Sequence, residues 1–141
     1  MGEVSLGLTL VVLQRRNRRR FHHVRRQFAR GRVVLHDCLP VSVHATKRER
    51  VSDFWVGDTW KVLDTLLEYR PDLRVHVVPT APSGLVVVRG LDKASRVLEE
   101  HMPEILARYT SAEYDHTPAY WAEQYPLVRN DDAGLADALG S

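Results

Sequence analysis

Two valine-rich runs with a proline-rich spacer between them are the feature of this sequence that most restricts its fold. Arg74 to Val78 and Leu85 to Val88 have the composition of β-strands, and Pro79 to Gly84 between them reads PTAPSG. Proline and glycine at this density favour a turn, because neither residue extends a strand or a helix easily. So short a connection lets the two strands pair antiparallel, and the sequence therefore predicts a β-hairpin here.

Strand-like and helical patterns alternate along the rest of the chain, which predicts an α/β fold with helices flanking a sheet. The apolar run within Arg32 to Asp37 predicts a strand buried on both faces, as in a parallel sheet. With a further strand at Val4 to Leu13, the sheet would have about four strands of mixed direction, and the hairpin would be its antiparallel edge. A short helix over Arg15 to Arg30 would connect the first two strands.

The clearest helix is predicted over residues 58–70, where an apolar stripe begins at Trp60 and Leu63. Asp58 stands where an N-cap is expected, because its carboxylate could accept a hydrogen bond from the first turn. Pro71 is expected to end this helix.

A further helix is predicted from Asp92, and Pro103 either interrupts it or opens a second short helix at its first turn. The aromatic residues after position 110 favour packing against the body of the protein. The last ten residues are small and acidic, and we expect them to be frayed. The aromatic residues of this tail are Tyr114, Tyr120, Trp121 and Tyr125.

Composition limits the class of protein. A chain of 141 residues that is 44% hydrophobic fits one domain with one core. The single cysteine excludes an internal disulfide and favours a reducing, cytoplasmic setting. The longest apolar run, Leu6 to Leu13, is far shorter than the roughly 20 residues of a membrane-spanning helix, so we expect no membrane contact.

The sequence HDC at residues 36–38 places chemically active side chains directly after a predicted strand. In open α/β sheets, ligands gather beyond the carboxyl ends of the strands. Asp37 could bind a hard cation or hold a substrate hydroxyl, and His36 could move a proton near neutral pH. The alternative is that Asp37 starts a turn and His36 is a satisfied side chain. Cys38 is interpreted as a small buried hydrophobe.

Three stretches together carry a resemblance to a known family. They are RVVLHDCLP, WVGDTWKVLDTLLEYRPDLRVHVV and GLVVVRGLD, and they lie within about residues 31–110. This series resembles the C-terminal half of class I S-adenosylmethionine-dependent methyltransferases, and looks closest to small bacterial O-methyltransferases of the TylF/macrocin type. The resemblance implies a partial Rossmann-like sheet, with Val33 to Leu35 as its fifth strand and the hairpin as its sixth and seventh strands.

The same resemblance implies a function, the methylation of an oxygen on a small-molecule acceptor. It assigns Asp37 as a ligand of a divalent cation such as Mg²⁺, and His36 as a base or a substrate-binding group. It also places Trp60 and Lys61 at the start of the following helix. The contacts to S-adenosylmethionine would lie in an N-terminal half that this sequence lacks, and no second metal-binding carboxylate follows the strand at residues 4–13. We therefore expect a truncated protein that is inactive alone.

The charge distribution leaves two other classes open. Residues 1–32 contain nine arginines and one acidic residue, Glu3, which can indicate nucleic-acid binding through phosphates. A sheet without its first strands could instead expose an apolar edge and form a homo-oligomer. The chain is thus divided into a basic segment at 1–32, a partial methyltransferase-like domain at 33–110, and an aromatic then acidic tail at 111–141.

Overall fold

The computed structural model describes residues 32–92 and 94–140. The predicted strand at residues 4–13 and the predicted helix at 15–30 lie outside this range. The strands are β1 (Val33–His36), β2 (Arg74–Val78) and β3 (Leu85–Arg89). The helices are α1 (Trp60–Tyr69), α2 (Val97–Glu100), α3 (Met102–Tyr109), α4 (Pro118–Gln124) and α5 (Asp132–Leu139), with a 3₁₀ turn at Val43–Thr46.

The predicted hairpin is confirmed, and it forms most of the sheet. β2 and β3 pair antiparallel with Val77 opposite Val86. β1 pairs with the other edge of β3, also antiparallel, with Leu35 opposite Val86. The strand order is therefore β1–β3–β2, with β3 in the centre. A sheet with helices around it confirms the α/β class.

The predicted parallel, doubly buried character of β1 is wrong. Only Leu35 of β1 is fully buried, whereas Val34 and His36 are exposed. The run that is buried on both faces is Val86 to Val88 in β3, because this strand has a neighbour on each side and helices over it. Residues 32–92 and 94–140 contain three strands instead of about four, and no two of these strands pair parallel.

The two faces of the sheet are covered differently, because alternate residues of a strand point to opposite sides. One face carries Leu35, Val77 and Val86, which pack with Leu63 and Leu66 of α1 in the main core. The opposite face carries Val78 and Val87, which pack with Ala138 of α5 in a smaller cluster. His36 follows Leu35 in β1, so it lies on the face that α5 partly covers.

Helix α1 begins at Trp60 and ends before Pro71, as expected, but the predicted N-cap is wrong. The Asp58 side chain is buried and forms an ion pair with Lys61, with 2.9 Å between Oδ1 and Nζ. Arg48 Nε lies 3.4 Å from the other carboxylate oxygen. The charge of Lys61 therefore holds the Asp58 carboxylate inside the protein, away from the free N–H groups of the helix.

The C-terminal third of the chain is ordered into helices. Pro103 opens α3 at its first turn, in agreement with one of the two predicted alternatives. Tyr125 joins the main core, which confirms the packing of the aromatic tail. The predicted fraying of the last ten residues is wrong, because Asp131 caps α5 by accepting the Gly134 N–H at 2.7 Å. Ala138 of α5 is fully buried against the sheet.

Within residues 32–92 and 94–140, no helix is long and apolar enough to cross a membrane.

Candidate functional site

The backbone turns sharply where β1 ends, and this turn presents Asp37. Asp37 has a φ of 65°, in the left-handed region that side chains other than glycine rarely adopt. Aspartate tolerates this region better than most residues, because its short side chain can form local hydrogen bonds. The turn leaves the Asp37 side chain 29% exposed at the corner of the sheet.

The turn between β2 and β3 meets this corner, because antiparallel pairing brings the end of β1 next to the start of β3. The Ser83 hydroxyl donates a hydrogen bond to Oδ1 of Asp37. The Ser83 carbonyl accepts the N–H of Leu39 at 2.7 Å. Two segments that are distant in sequence are thus joined by both the side chain and the backbone of Ser83, which is buried.

His36 is the third side chain at this corner, beside Asp37 and Ser83. Its Nδ1 atom lies 2.9 Å from Oδ2 of Asp37, and its side chain is 53% exposed. A carboxylate beside an exposed imidazole can bind a hydroxyl group and exchange its proton. The structure therefore brings the two predicted site residues, His36 and Asp37, into direct contact and adds Ser83, which sequence reasoning missed.

Cys38 follows Asp37 but takes no part in this surface. Its side chain is fully buried, which confirms its interpretation as a small core residue. Burial raises the pKa of the Cys38 thiol to about 12, and the charges of Asp37 and Asp64 act in the same direction. The thiolate needed for nucleophilic attack is therefore not formed at neutral pH.

Few side chains at this corner could act as ligands of a metal ion. In the part of the chain that the structure describes, no group of three histidine, cysteine or acidic side chains could hold a metal ion. Asp37 alone offers one carboxylate ligand, so a cation there would take its other ligands from water or from a bound molecule. Whether Asp37 binds a metal stays a prediction.

A second cluster of titratable groups, which the sequence did not reveal, joins α1 to the aromatic tail. His116 Nε2 lies 2.8 Å from Oδ2 of Asp64, and its Nδ1 lies 3.0 Å from Oδ1 of Asp115. The Tyr125 hydroxyl donates to Oδ1 of Asp64 at 2.6 Å. The Tyr120 ring stacks on His116 with 4.1 Å between centroids.

The charges around His116 decide its protonation. Burial lowers the pKa of His116, but the hydrogen bonds and charges of Asp64 and Asp115 outweigh burial and leave its pKa above the ordinary value. An imidazolium between two carboxylates fits this arrangement. Both ring nitrogens of His116 are paired with carboxylates and its side chain is only 8% exposed, so the cluster is interpreted as a structural connection between α1 and the tail.

Comparison of the chain with protein-family models, with curated proteins and with solved structures finds no match.

Proposed function

We propose that the described residues form the acceptor-binding part of a class I S-adenosylmethionine-dependent methyltransferase-like protein that acts on an oxygen of a small molecule. The observation that carries this proposal is the Asp37–His36 pair at the end of β1, accessible to solvent and held by Ser83. Asp37 would hold a divalent cation that could bind the acceptor oxygen, and His36 would take the proton of the acceptor hydroxyl.

The order of elements supports this proposal. Numbered by the resemblance, β1, β2 and β3 are the fifth, sixth and seventh strands, and α1 is the helix between the fifth and sixth. The last two strands pair antiparallel, as the resemblance implies. Asp37 follows the fifth strand, at the position of the acidic residue in the family.

The donor side of the reaction belongs to a different part of the protein in this proposal. S-adenosylmethionine supplies an electrophilic methyl group on a sulfonium when it is bound. The resemblance places its contacts before the fifth strand, and the described residues contain neither the glycine-rich turn nor the ribose-binding acidic residue of that site. The described residues are therefore assigned to the acceptor alone, and the methyl transfer itself is not assigned to them.

Paramagnetic broadening by Mn²⁺ tests the acceptor site. We expect Mn²⁺ together with catechol, a small hydroxylated probe, to broaden the amide resonances of residues 36–38 and 83. Broadening should be weaker without catechol, because one carboxylate supplies too few ligands by itself. Asp37→Asn should abolish it, whereas Asp53→Asn, which changes an exposed loop carboxylate, should not. Equal broadening in Asp37→Asn, or broadening centred on other acidic residues, would contradict the proposal.

Calorimetry tests whether this chain binds the methyl donor, separately from its binding of the acceptor. Heat on adding S-adenosylmethionine, abolished by the demethylated product, would show that this chain also carries a donor site. The absence of heat would agree with a donor site that another polypeptide segment supplies. The Mn²⁺ experiment tests binding at the acceptor site whether or not S-adenosylmethionine gives heat.

Nucleic-acid binding is the second candidate function, favoured by the nine arginines in residues 1–32. Of these arginines only Arg32 lies in the described range, so this function stays a prediction. Phosphate contacts would make binding to mixed-sequence duplex DNA weaken steeply with salt. Fluorescence anisotropy that shows no such salt dependence would exclude it.

A further inference from the structure

Arginines lie side by side across the sheet at the end where β3 finishes. In the register of β2 with β3, Arg74 lies directly opposite Arg89. Val33 of β1 lies opposite Val88, so the same register continued by one residue places Arg32 on the other side of Arg89. Residues directly opposite each other in an antiparallel pair point to the same face. Arg32, Arg74 and Arg89 therefore form an arginine row on one face of the sheet.

The arginine row lies on the face that α5 partly covers. Val87, two residues before Arg89, packs with Ala138 of α5, and alternate residues of a strand share a face. The Arg89 guanidinium reaches the end of α5, where its Nη2 atom is 3.5 Å from the Asp137 carbonyl oxygen. Arg74 is exposed, whereas Arg89 is partly buried. One side of the row is thus fixed against a helix, and the other side is open to solvent.

The positive charge of the arginine row is not offset by nearby carboxylates. Within residues 32–92 and 94–140, no acidic side chain forms an ion pair with a member of the row. Asp72, two residues before Arg74, is held by Arg70, with 2.7 Å between Nη2 and Oδ2. Like charges that lie directly opposite each other destabilise a sheet. An anion bound at the row would relieve this repulsion.

Unsatisfied polar atoms lie beside the same charges. Nε of Arg89 is buried and has no hydrogen-bond partner among the described residues. Nδ1 of His76 is also buried without a partner there, and His76 follows Arg74 on the same face of β2. Buried polar groups are nearly always hydrogen-bonded in folded proteins, so an unpaired one points to a partner that is not part of the chain.

Phosphate is the anion that fits the geometry of the arginine row. Neighbouring strands are about 4.8 Å apart, so two adjacent guanidinium groups can share one tetrahedral anion, and the whole row spans about 10 Å. A guanidinium group donates two parallel hydrogen bonds to phosphate oxygens. A row of this width suits two or more linked phosphate groups better than a single carboxylate.

We propose that the arginine row is a binding site for the linked phosphate groups of a polyanion. The row is separate from the candidate acceptor site. His36 lies opposite Leu85 at the start of β3, and Arg89 lies four residues further on, about 13 Å away at 3.3 Å per residue. The proposal therefore does not depend on methyl transfer.

Titration of the full chain with pyrophosphate, followed by amide NMR, tests this site. We expect the largest changes at residues 74–76 and 87–89. Arg74→Gln should weaken binding about tenfold, because it removes hydrogen bonds between a cation and an anion. Arg74→Lys keeps the charge without the paired donors, so its loss should be smaller. Arg96→Gln is the matched control, because it removes an exposed arginine that pairs with Glu99 elsewhere, and it should leave the affinity unchanged.

A mixed-sequence DNA duplex distinguishes two sources of the phosphate groups. A loss in Arg74→Gln that is seen with pyrophosphate would support a small phosphate compound, and a loss seen only with the duplex, measured by fluorescence anisotropy, would support a nucleic-acid backbone. Arg89→Gln should weaken binding in the same direction, and amide spectra would verify that both variants are folded. The proposal would be overturned if neither probe bound, if folded Arg74→Gln bound as well as the wild type, or if Arg96→Gln caused an equal loss.

Discussion

At the scale of single residues, Leu39 packs so closely against Gly84 that little space is left beside the candidate site. Gly84 has a φ of 74°, and a Cβ added there would lie 2.8 Å from two atoms of the Leu39 side chain. Gly90, at the other end of β3, has a φ of 81°, but its added Cβ would meet nothing closer than the Asp72 carbonyl at 3.9 Å. Both glycines therefore have a left-handed backbone, but only Gly84 is packed closely against a neighbouring side chain.

Alanine at each glycine should separate these two effects. Gly90→Ala should lower the free energy of unfolding by about 1 kcal/mol, the cost of a left-handed backbone for a residue with a Cβ. Gly84→Ala should lower it by about 3 kcal/mol, because displacing Leu39 adds an overpacking cost. Urea unfolding of both variants measures the difference. Equal losses would mean that Leu39 moves aside freely.

Only some residues of the candidate site could be predicted from the sequence. His36 and Asp37 could be predicted because they follow an apolar run directly. Ser83 could not, since it is 46 residues from Asp37, and only the folded chain shows that the hairpin turn meets the end of β1. His116 and Asp64 are 52 residues apart, and a lone histidine beside an aspartate gives no signal of a partner on a distant helix.

At the scale of elements, we expect the contact between α1 and the tail to depend on pH. The pKa of His116 is raised in the folded protein, so its stabilising contribution is complete below the unfolded pKa of about 6.5. The contribution is lost as the pH rises through the folded-state value. The groups that face His116 are Asp64, Asp115, Trp60, Tyr114, Tyr120 and Tyr125.

The free energy of unfolding should therefore fall as the pH rises above the unfolded pKa of about 6.5, and His116→Gln should reduce this fall. His101→Gln is the matched control, because it removes a histidine that pairs with Glu104 on an exposed surface. Urea titrations at several pH values provide the measurement. A pH dependence that is the same in His116→Gln and the wild type would show that the pKa of His116 does not change on folding.

Elements differ in how far the sequence predicts them. The hairpin was predictable because its signal is local, a turn between two strand-like runs. The role of β1 was not, because an apolar run such as Val33 to Leu35 fits both a central and an edge strand. Pairing with β3 decides that role, and this pairing joins segments that are far apart in the sequence. Helix α5 was missed because alanine, glycine and aspartate give little periodic signal.

At the scale of the whole molecule, Cys38 reports on unfolding. Its thiol is buried in the main core, and burial, followed by the charges of Asp37 and Asp64, raises its pKa to about 12. We expect a thiol reagent such as dithionitrobenzoate to react only as fast as the core opens, since the Cys38 side chain is fully buried there. Labelling rates measured in increasing urea should follow the global free energy of unfolding. Fast labelling that does not change with urea would contradict this expectation.

The outer edge of β2 forms backbone hydrogen bonds with the tail, and these bonds affect whether another copy of the protein can pair with this edge. The Val77 N–H donates to the Pro126 carbonyl, and the Val77 carbonyl accepts the Val128 N–H, both at 2.9 Å. Backbone groups that would otherwise recruit a strand from another molecule are therefore already occupied there. Another copy that paired with Val77 would have to displace residues 126–128. At Val77 the tail should therefore hinder ordered aggregation, a task separate from any chemistry at Asp37.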